Sequence, residues 1–313
     1  MFAFDLKVVE LPLIVNFRGL KKREIALFEG PAGWSEFSPF DEYGAKESAV
    51  WLKAAIESAT TLPPMKLREE IEINAILPNV HNAEVRKILE RFPGCKTIKI
   101  KINNYKSDRE LLIQALSLIP DAIFRLDVNG QWSLNEAKEN LNDYYKEFGD
   151  KIDYVEQPCI NFEELKSLRK QVKIKIAIDE SIRKNLDNNF ENIKEIADIA
   201  IIKWAPVGGI NSALALAESI NLPTVISSAL ESSVGISHGL TLAQSIPNLY
   251  GACGLGSASL FEFDVTNERF AVKDGKLTNR KIVPNLIDQF KVKPERLRWW
   301  HNRIDQIYRE GLI

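Results

Sequence analysis

The hydrophobic and polar positions of this chain follow two periods through most of its length. Between residues 66 and 256, short runs rich in isoleucine and valine alternate with longer stretches whose apolar residues recur every three or four positions. The short runs are typical of buried strands, and the longer stretches are typical of amphipathic helices. Strands that alternate with helices of this length indicate βαβ units and a parallel sheet.

Eight strand candidates occur in this series, and they favour a closed (β/α)8-type barrel over an open sheet. They are Ile71–Leu77, Thr97–Ile102, Ile123–Val128 and five short runs near residues 154, 176, 201, 225 and 250–253. An open Rossmann-type or flavodoxin-like sheet is the alternative. It lacks support, because no strand of this chain opens into a Gly-x-Gly-x-x-Gly loop.

The two ends of the chain depart from this alternation. Residues 1–65 predict two strands, a Gly- and Pro-rich loop at Gly30–Trp34 and a helix at Ala45–Thr60; the strands are Phe4–Phe17 and Glu24–Glu29. The tail predicts strands at Leu260–Val265 and Arg269–Val272 and a helix at Pro294–Ile307. We therefore predict a capping α+β domain of residues 1–65 plus 257–313 on a barrel domain of residues 66–256.

Composition narrows the class of protein. Hydrophobic residues make up 45% and charged residues 27% of the chain, and the net charge is −2, which argues against a nucleic-acid or membrane-surface protein. The cysteines, Cys95, Cys159 and Cys253, are too widely spaced for a disulfide framework or a clustered metal site. No apolar run approaches the roughly 18 residues that span a bilayer. We expect a cytoplasmic protein that acts on a small molecule.

Polar residues recur at the predicted carboxyl ends of successive strands. Steps of 23 to 29 residues connect Asn74, Lys99 or Lys101, Asp127, Glu156, Asp179, Lys203, Ser227 and Cys253. One βα unit takes about that many residues, so these side chains should meet at one end of the barrel. In parallel barrels this end carries the active site.

Alternation within each strand predicts the direction of these side chains. In Thr97–Ile102 the isoleucines share one face and Lys99 and Lys101 share the other. Because helices cover the outside of such a barrel, the isoleucines should point outward and the lysines inward. The same alternation places Asp127 and Asp179 inside the barrel.

Three inward carboxylates on successive strands, Asp127, Glu156 and Asp179, require an explanation. An isolated Asp near a strand end often caps the next helix, a role that fits Asp108 and Ser133 here. Three converging carboxylates, however, repel one another unless a cation lies between them. Oxygen ligands without thiolates or imidazoles suit a hard divalent ion, so we predict Mg²⁺, with Mn²⁺ as a substitute.

An organic acid bound to this ion would lie between Lys101 and Lys203. Removal of a proton α to its carboxylate would give an enediolate, whose charge the ion stabilises. Lysine in water has a pKa of about 10.4. The Lys99 ammonium, the ion and desolvation would lower the pKa of Lys101 toward the range that a general base requires.

These segments resemble the enolase superfamily, in its muconate-lactonizing-enzyme subgroup. The matching segments are Lys99-Ile100-Lys101, Leu126–Asn129, Val155–Pro158, Ile178–Ser181 and Ile202-Lys203. Within the subgroup, the chain most resembles the o-succinylbenzoate synthase family of the shorter, actinobacterial type. The segments that carry this likeness are Phe17–Gly19, Gly30–Phe40, Ser227–Ser233 and Cys253–Gly256.

The resemblance implies a dehydratase, a carbon–oxygen lyase of menaquinone biosynthesis. It would convert 2-succinyl-6-hydroxy-2,4-cyclohexadiene-1-carboxylate into o-succinylbenzoate by syn elimination of water. Lys101 would take the α-proton and pass it to the departing hydroxyl, while Lys203 stays cationic across the ring. Arg18 and Glu36 would lie in cap loops that close over the substrate.

Further residues are predicted to contact the substrate or to support the site. Lys99 would bind the substrate carboxylate, and Asn129 would support Asp127. The mouth of the barrel would present the remaining members of this set, which are Ser227, Ser228, Gly254 and Leu255. By analogy with the family, we expect a monomer or a weak oligomer.

Three alternatives remain at the level of the sequence. An N-succinylamino acid racemase would use the same ion and both lysines for 1,1-proton transfer. A dipeptide epimerase or a cycloisomerase is a weaker fit, since Ala252–Gly256 lacks the Asp-x-Asp motif of the epimerases. A non-catalytic barrel scaffold is the remote alternative, and its expected sign, the loss of a metal ligand or a lysine, is not seen.

Overall fold

The chain begins with an antiparallel sheet that a helix covers. The computed structural model describes residues 2–17, 19–183 and 192–313. Strands β1 (Lys7–Phe17), β2 (Leu20–Gly30) and β3 (Gly33–Phe37) pair in chain order, and helix α1 (Ala45–Thr60) follows. The helix matches the sequence prediction, and it buries Trp51 and Leu52 against the sheet.

Strand β3 was not predicted, because its first residues were assigned to a loop. Gly30 pairs with Gly33, so the two residues between them form a tight hairpin turn. Gly33 adopts a φ of +134°, a backbone conformation that residues other than glycine rarely adopt. The glycines of this segment therefore mark a hairpin turn and not a long loop.

Strands and helices then alternate to form the barrel. In chain order these elements are β4 (Glu70–Glu72), β5 (Ala75–Leu77), α2 (Asn82–Leu89), β6 (Thr97–Lys101), α3 (Tyr105–Leu118), β7 (Ile123–Asp127), α4 (Leu134–Phe148), β8 (Ile152–Glu156), α5 (Phe162–Arg169), β9 (Lys175–Ile178), α6 (Glu180–Arg183), β10 (Ile199–Ile202), α7 (Ile210–Ile220), β11 (Thr224–Ile226) and α8 (Ser233–Ser245). Strands β5 to β11 lie side by side in chain order and are parallel.

A short segment closes this sheet into a ring. Cys253 forms a parallel bridge with Ile73, beside β5, and Gly254 forms one with Ser227, beside β11. Backbone hydrogen bonds join both edges, from Asn74 N–H to the Cys253 carbonyl (3.0 Å) and from Gly254 N–H to the Ile226 carbonyl (2.8 Å). This segment takes the eighth position, and the predicted (β/α)8-type barrel with a cap is confirmed.

The side chains of the strands alternate as predicted. Ile98 and Ile100 are fully buried under the helices, while Lys99 and Lys101 point into the barrel. The interior below the mouth holds a separate apolar cluster, formed by Tyr154, Ala177, Ile199, Ile201 and Val225. On β8 to β11, this cluster shares its parity with Glu156, Asp179, Lys203 and Ser227, which therefore also face inward.

One of the two predicted helix caps is confirmed. Ser133 caps α4 in a reciprocal arrangement with Glu136. Asn104, and not Asp108, caps α3. Asp108 lies one turn further on, is buried, and accepts hydrogen bonds from the backbone N–H groups of Asn103 and Asn104.

The two strands predicted in the tail are wrong. A single turn of 3-10 helix at Ser257–Leu260 is followed by irregular chain, and the strand of this region is β12 (Lys276–Thr278), antiparallel to β4. Apolar residues of the irregular chain, such as Phe261 and Phe270, are buried one at a time. Their spacing therefore resembles the alternation of a strand, although no continuous ladder of backbone hydrogen bonds forms.

The last helix, α9 (Pro294–Arg309), returns to the N-terminal sheet and helix. Trp300 is fully buried, its ring lies 5.6 Å from that of Phe37 in an edge-on contact, and its Nε1 donates to Glu24 (2.8 Å). The tail thus packs on the cap, while the domain boundaries at residues 65 and 257 stay a prediction. In the described ranges, no helix is both long and apolar enough to cross a membrane.

We predict that Trp300→Ala destabilises the protein by about 3–5 kcal/mol, the usual loss when a buried tryptophan is truncated. Urea unfolding followed by circular dichroism measures this loss. Arg298→Ala, on the exposed side of the same helix, is the matched control and should leave the midpoint unchanged. A small loss at Trp300 would show that the tail does not hold the cap together.

Candidate active site

A cavity opens at the carboxyl ends of the barrel strands, beneath the N-terminal helix. The barrel contributes most of the residues predicted from the strand ends: Asn74, Lys99, Lys101, Asp127, Asn129, Asp179, Lys203, Ser227, Ser228 and Gly254. The N-terminal region contributes a largely apolar wall: Phe17, Phe40, Tyr43, Glu47, Val50 and Trp51. The structure therefore brings charged groups from the barrel and aromatic groups from the cap to one cavity.

Lys99 joins two carboxylates at the base of this cavity. Its ammonium lies 2.7 Å from Glu156 and 3.1 Å from Asp127 Oδ2. Burial lowers the pKa of Lys99, but the two carboxylates outweigh burial and hold it well above its ordinary value. Burial also raises the pKa of Glu156 to about 7; Lys99 opposes this shift, and the charges of Asp127 and Asp179 add to it.

Lys203 and Asp179 form a second ion pair across the mouth. The Lys203 ammonium lies 2.5 Å from Asp179 Oδ2, and the guanidinium of Arg183 approaches the other oxygen at 3.8 Å. Burial raises the pKa of Asp179, but these two cations lower it by more, so the net shift is downward. Asp179 is therefore ionised at neutral pH.

Lys101 is held by a side-chain amide. Its ammonium donates to Asn129 Oδ1, and Asn129 Nδ2 donates to Asp127 Oδ1 (2.7 Å). Lys101 ends the second strand of the ring and Lys203 follows the sixth. Four steps around a ring of eight is half a turn, so the two amines lie on opposite walls of the cavity.

The remaining predicted residues have different positions. Ser228 donates to the Gly254 carbonyl (2.9 Å) and, like Ser227, lines the cavity. The structure does not bring Leu255 there, because its side chain points away from Gly254 and lies against Gly239 of α8. Arg18 lies outside the described residues.

Two acidic residues differ from expectation. Glu36 does not reach the cavity; it is buried behind it and accepts hydrogen bonds from Ser232 and Gly235 at the beginning of α8. Glu180 follows Asp179, so strand alternation would turn it toward the helices, but it lines the cavity and pairs with Arg183 (3.0 Å).

Several residues of the site had no role in the sequence analysis. Arg125 has the inward parity of Asp127, and the structure places it below the site, where it pairs with Asp153 (2.9 Å) and lies over the Tyr154 ring. Strand alternation was the signal that could have located it. The cavity wall from α1 carries no local motif, because its contact with the mouth depends on how the cap packs on the barrel.

The donor set fits a hard divalent ion in its chemistry. In the conformation seen, no group of three or more His, Cys, Asp or Glu side chains among the described residues is arranged to hold a metal ion. Instead, Lys99 and Lys203 occupy the carboxylates at short distance. Asp127 and Asp179 still raise the pKa of Glu156, so the three carboxylates lie within electrostatic reach of one another. Carboxylate oxygens in such a group are what Mg²⁺ and Mn²⁺ prefer.

Comparisons with known families match both parts of the chain. Residues 8–59 match the model of the enolase N-terminal domain-like family, and residues 82–284 match the enolase C-terminal domain-like family. An o-succinylbenzoate synthase of Mycobacterium tuberculosis (strain H37Rv) is 42% identical over 309 residues, which cover 97% of this chain and 93% of that protein. One from Mycobacterium marinum is 41% identical with the same coverage.

Solved structures share the fold at low sequence identity. A muconate lactonizing enzyme from Pseudomonas fluorescens, complexed with muconolactone, aligns with a TM-score of 0.74 at 19% identity and covers 95% of this chain and 98% of its own. The L-Ala-D/L-Glu epimerase from Bacillus subtilis aligns with a TM-score of 0.74 at 20% identity and covers 89% and 96%. At this level of sequence identity, the comparison shows only that the fold of the barrel and its cap is shared.

We predict that Lys99→Met lowers the stability of the protein in EDTA by about 3–5 kcal/mol, because Glu156 and Asp127 lose the cation between them. Urea unfolding with EDTA measures this loss. Added Mg²⁺ should stabilise the variant more than the wild type, since the ion then replaces the ammonium. Lys96→Met, which removes an exposed ion pair of the same strand region, should have no measurable effect with either addition.

Proposed function

We propose that this chain, which belongs to the enolase superfamily and within it to the o-succinylbenzoate synthase family, dehydrates 2-succinyl-6-hydroxy-2,4-cyclohexadiene-1-carboxylate to o-succinylbenzoate in menaquinone biosynthesis. The observation that carries this proposal is the pair of amines, Lys101 and Lys203, on opposite walls of a cavity with a carboxylate floor. Identity to curated members of the family over nearly the whole chain supports the same reaction.

Members of this superfamily use a divalent metal ion. In this chain Asp127, Glu156 and Asp179 would hold it, and we infer that Mg²⁺ is the ion, with Mn²⁺ able to replace it. When bound, the ion neutralises negative charge that develops on the carboxylate of the substrate. Lys99 and Lys203 would then release part of their contact with these carboxylates.

Lys101 is placed to act as the base. Its ammonium donates to the side-chain amide of Asn129, and both residues line the cavity. Asn129 is itself oriented by Asp127. This chain of hydrogen bonds aims the Lys101 nitrogen into the cavity, and a neutral amine there would take the proton α to the ring carboxylate.

Lys203 is placed to remain a cation. The ionised Asp179 carboxylate lies 2.5 Å from the Lys203 ammonium and holds it at the mouth of the barrel. From the wall opposite Lys101, this charge would stabilise the negative charge that forms when the proton leaves. Lys203 therefore supplies electrostatic stabilisation and needs no change of protonation state.

The elimination is completed on the face of the ring that Lys101 occupies. The proton taken from the α-carbon passes from the Lys101 ammonium to the departing hydroxyl, and water leaves. One C–H bond and one C–O bond break, the ring becomes aromatic, and Lys101 returns to the neutral amine. A single acid–base group on one side thus accounts for syn stereochemistry.

The cap would cover the ring and the mouth would bind the succinyl arm. Phe40, Tyr43 and Trp51 present aromatic surface to the cavity and would exclude water from the reacting carbons. Ser228 already donates to the Gly254 carbonyl. For the Ser227 hydroxyl, the structure gives no hydrogen bond among the described residues, so it is the better placed of the two to bind the arm.

We predict that Lys101→Ala lowers kcat for the dehydration by about 10²–10⁴-fold, the usual contribution of a general base. Loss of absorbance of the cyclohexadiene measures the rate. EDTA should abolish turnover, and Mg²⁺ should restore it. Lys106→Ala, in the first turn of the following helix, is the control and should retain wild-type kcat. Turnover that survives Lys101→Ala would exclude the proposed base.

A second candidate activity is racemisation of N-succinylamino acids, which the opposed lysines would also permit by 1,1-proton transfer. We predict a higher kcat/KM for dehydration than for racemisation when both substrates are assayed with one preparation. Racemisation requires Lys203 to give and take a proton, so Lys203→Arg should reduce racemisation more than dehydration. A higher kcat/KM on the amino acid would reverse the ranking.

A further inference from the structure

Glu36 connects the cap to the beginning of α8 in the barrel. From β3 its Oε2 accepts hydrogen bonds from the Ser232 N–H (3.1 Å), the Ser232 hydroxyl (2.6 Å) and the Gly235 N–H (3.1 Å). Its Oε1 accepts one from Ser38 (2.7 Å). The first N–H groups of a helix have no partner within the helix, and they stabilise a carboxylate at its N-terminal end.

Glu231 lies beside Glu36 and has the opposite environment. It is fully buried, and neither of its carboxyl oxygens makes a hydrogen bond of normal geometry with a described residue. Both side chains lie against Gly235. A Cβ atom added to this glycine would lie 2.9 Å from Glu36 Oε2 and 2.8 Å from the Glu231 Cβ. Two buried acids in this position cannot both be ionised at low cost.

The pair lies directly behind one wall of the active site. Glu231 follows Leu230, which lines the cavity and adopts a φ of +66°, unusual for a residue with a side chain. Arg23 of β2 donates to the Leu230 carbonyl (3.5 Å) and to the Ser38 carbonyl. The cap therefore contacts the segment of residues 227–235, hereafter the mouth segment, through Arg23 and Glu36.

We propose that Glu36 and Glu231 hold one proton between them and that Glu231, as its carrier, is a positioning residue for the mouth segment. Glu36, with four donors, is the more acidic of the two and loses its proton first. Loss of the proton from Glu231 places two negative charges side by side and weakens the contact of the cap with the Leu230 wall. The catalytic part of this proposal rests on the proposed function, whereas its protonation part does not.

The charges around the pair support this assignment. Burial raises the pKa of Glu231 to about 8, and the charge of Glu36 adds to the shift; the Ala229 N–H, Arg23 and Lys203 offset part of it. Burial raises the pKa of Glu36 to about 7 although Ser232, Ser38 and Arg23 oppose this. Asp264, which accepts hydrogen bonds from Ser233 at the same helix end, is a further acid near the mouth segment.

The sign of the pH effect follows from these shifts. A carboxyl whose pKa is raised by folding keeps its proton in the folded state and loses it in the unfolded state. The stability it contributes is complete below its ordinary pKa of 4.5 and is lost as the pH rises toward about 8. Between these two pH values, one such group changes the equilibrium constant of unfolding by about tenfold per pH unit.

The first test measures this dependence without using the activity. Urea unfolding of the wild type, Glu231→Gln and Glu218→Gln is followed from pH 5 to pH 9. Glu218 is exposed on α7 and controls for the removal of a glutamate. We expect the wild type and Glu218→Gln to lose stability with rising pH. In Glu231→Gln the equilibrium constant of unfolding should change by about tenfold less per pH unit, because the neutral amide cannot ionise. Equal slopes in all three proteins would overturn the proposal.

The second test relates the proton to the active site. The ratio of kcat/KM for dehydration, Glu231→Gln over wild type, should rise severalfold from pH 7 to pH 9, because only the wild type gains the second charge. A constant ratio would assign Glu231 a purely structural role and contradict the positioning part. If the wild type shows no dehydration, the proposed function fails, while the unfolding slopes still decide the protonation part.

A further variant covers the case in which Glu231→Gln does not fold. Glu36→Gln removes the neighbouring charge but keeps an acceptor for Ser232 and Gly235. We expect the pH at which the protein stops losing stability to be lower in this variant, because Glu231 then ionises more easily. Asp264 contributes equally to every protein, so it cancels from these comparisons. An unchanged end point would contradict a proton shared between the two acids.

Discussion

The fold depends on one electrostatic constraint: acidic groups at the mouth of the barrel need positive charge close by. Glu156 is almost completely buried, and Asp127 and Asp179 add their own charges to its environment. Lys99 and Lys203 meet this requirement in the structure by contacts of 2.5–3.1 Å. The same three carboxylates are the proposed ligands of the divalent ion, so one set of acids would serve both the stability of the fold and the binding of the metal.

The closed ring turns this local balance into a site with two sides. Each βα unit advances the chain by one strand, so a residue at a strand end has a fixed angular position around the mouth. Lys101 and Lys203 are four positions apart and face each other across the carboxylates. The Asn129 amide accepts a hydrogen bond from Lys101, and the Asp179 carboxylate lies 2.5 Å from the Lys203 ammonium. Each of the two amines is thus held by a side chain that follows a neighbouring strand of the ring.

The sequence predicted the parts of the molecule that local periodicity determines. Strand alternation located Lys99, Lys101, Asp127 and Asp179 inside the barrel, and helix α1 was predicted with the observed bounds. The predictions failed where distant segments decide the outcome. Buried aromatic residues of the tail imitated strands, and Leu255 was assigned to a mouth that its own strand parity turns it away from. Glu36 was expected over the substrate, but Ser232 and Gly235, which bind it behind the cavity, are almost 200 positions away along the chain.

Two groups of buried acids in one molecule show two solutions to the same problem. At the mouth, the ammonium groups of Lys99 and Lys203 neutralise the carboxylates. Behind the wall, Glu36 has four donors, whereas neither carboxyl oxygen of Glu231 makes a hydrogen bond of normal geometry with a described residue. In the proposed arrangement, a proton neutralises Glu231. In the proposed arrangement, the proton stabilises the contact between cap and barrel without adding a permanent charge behind the cavity. This contact would therefore depend on pH.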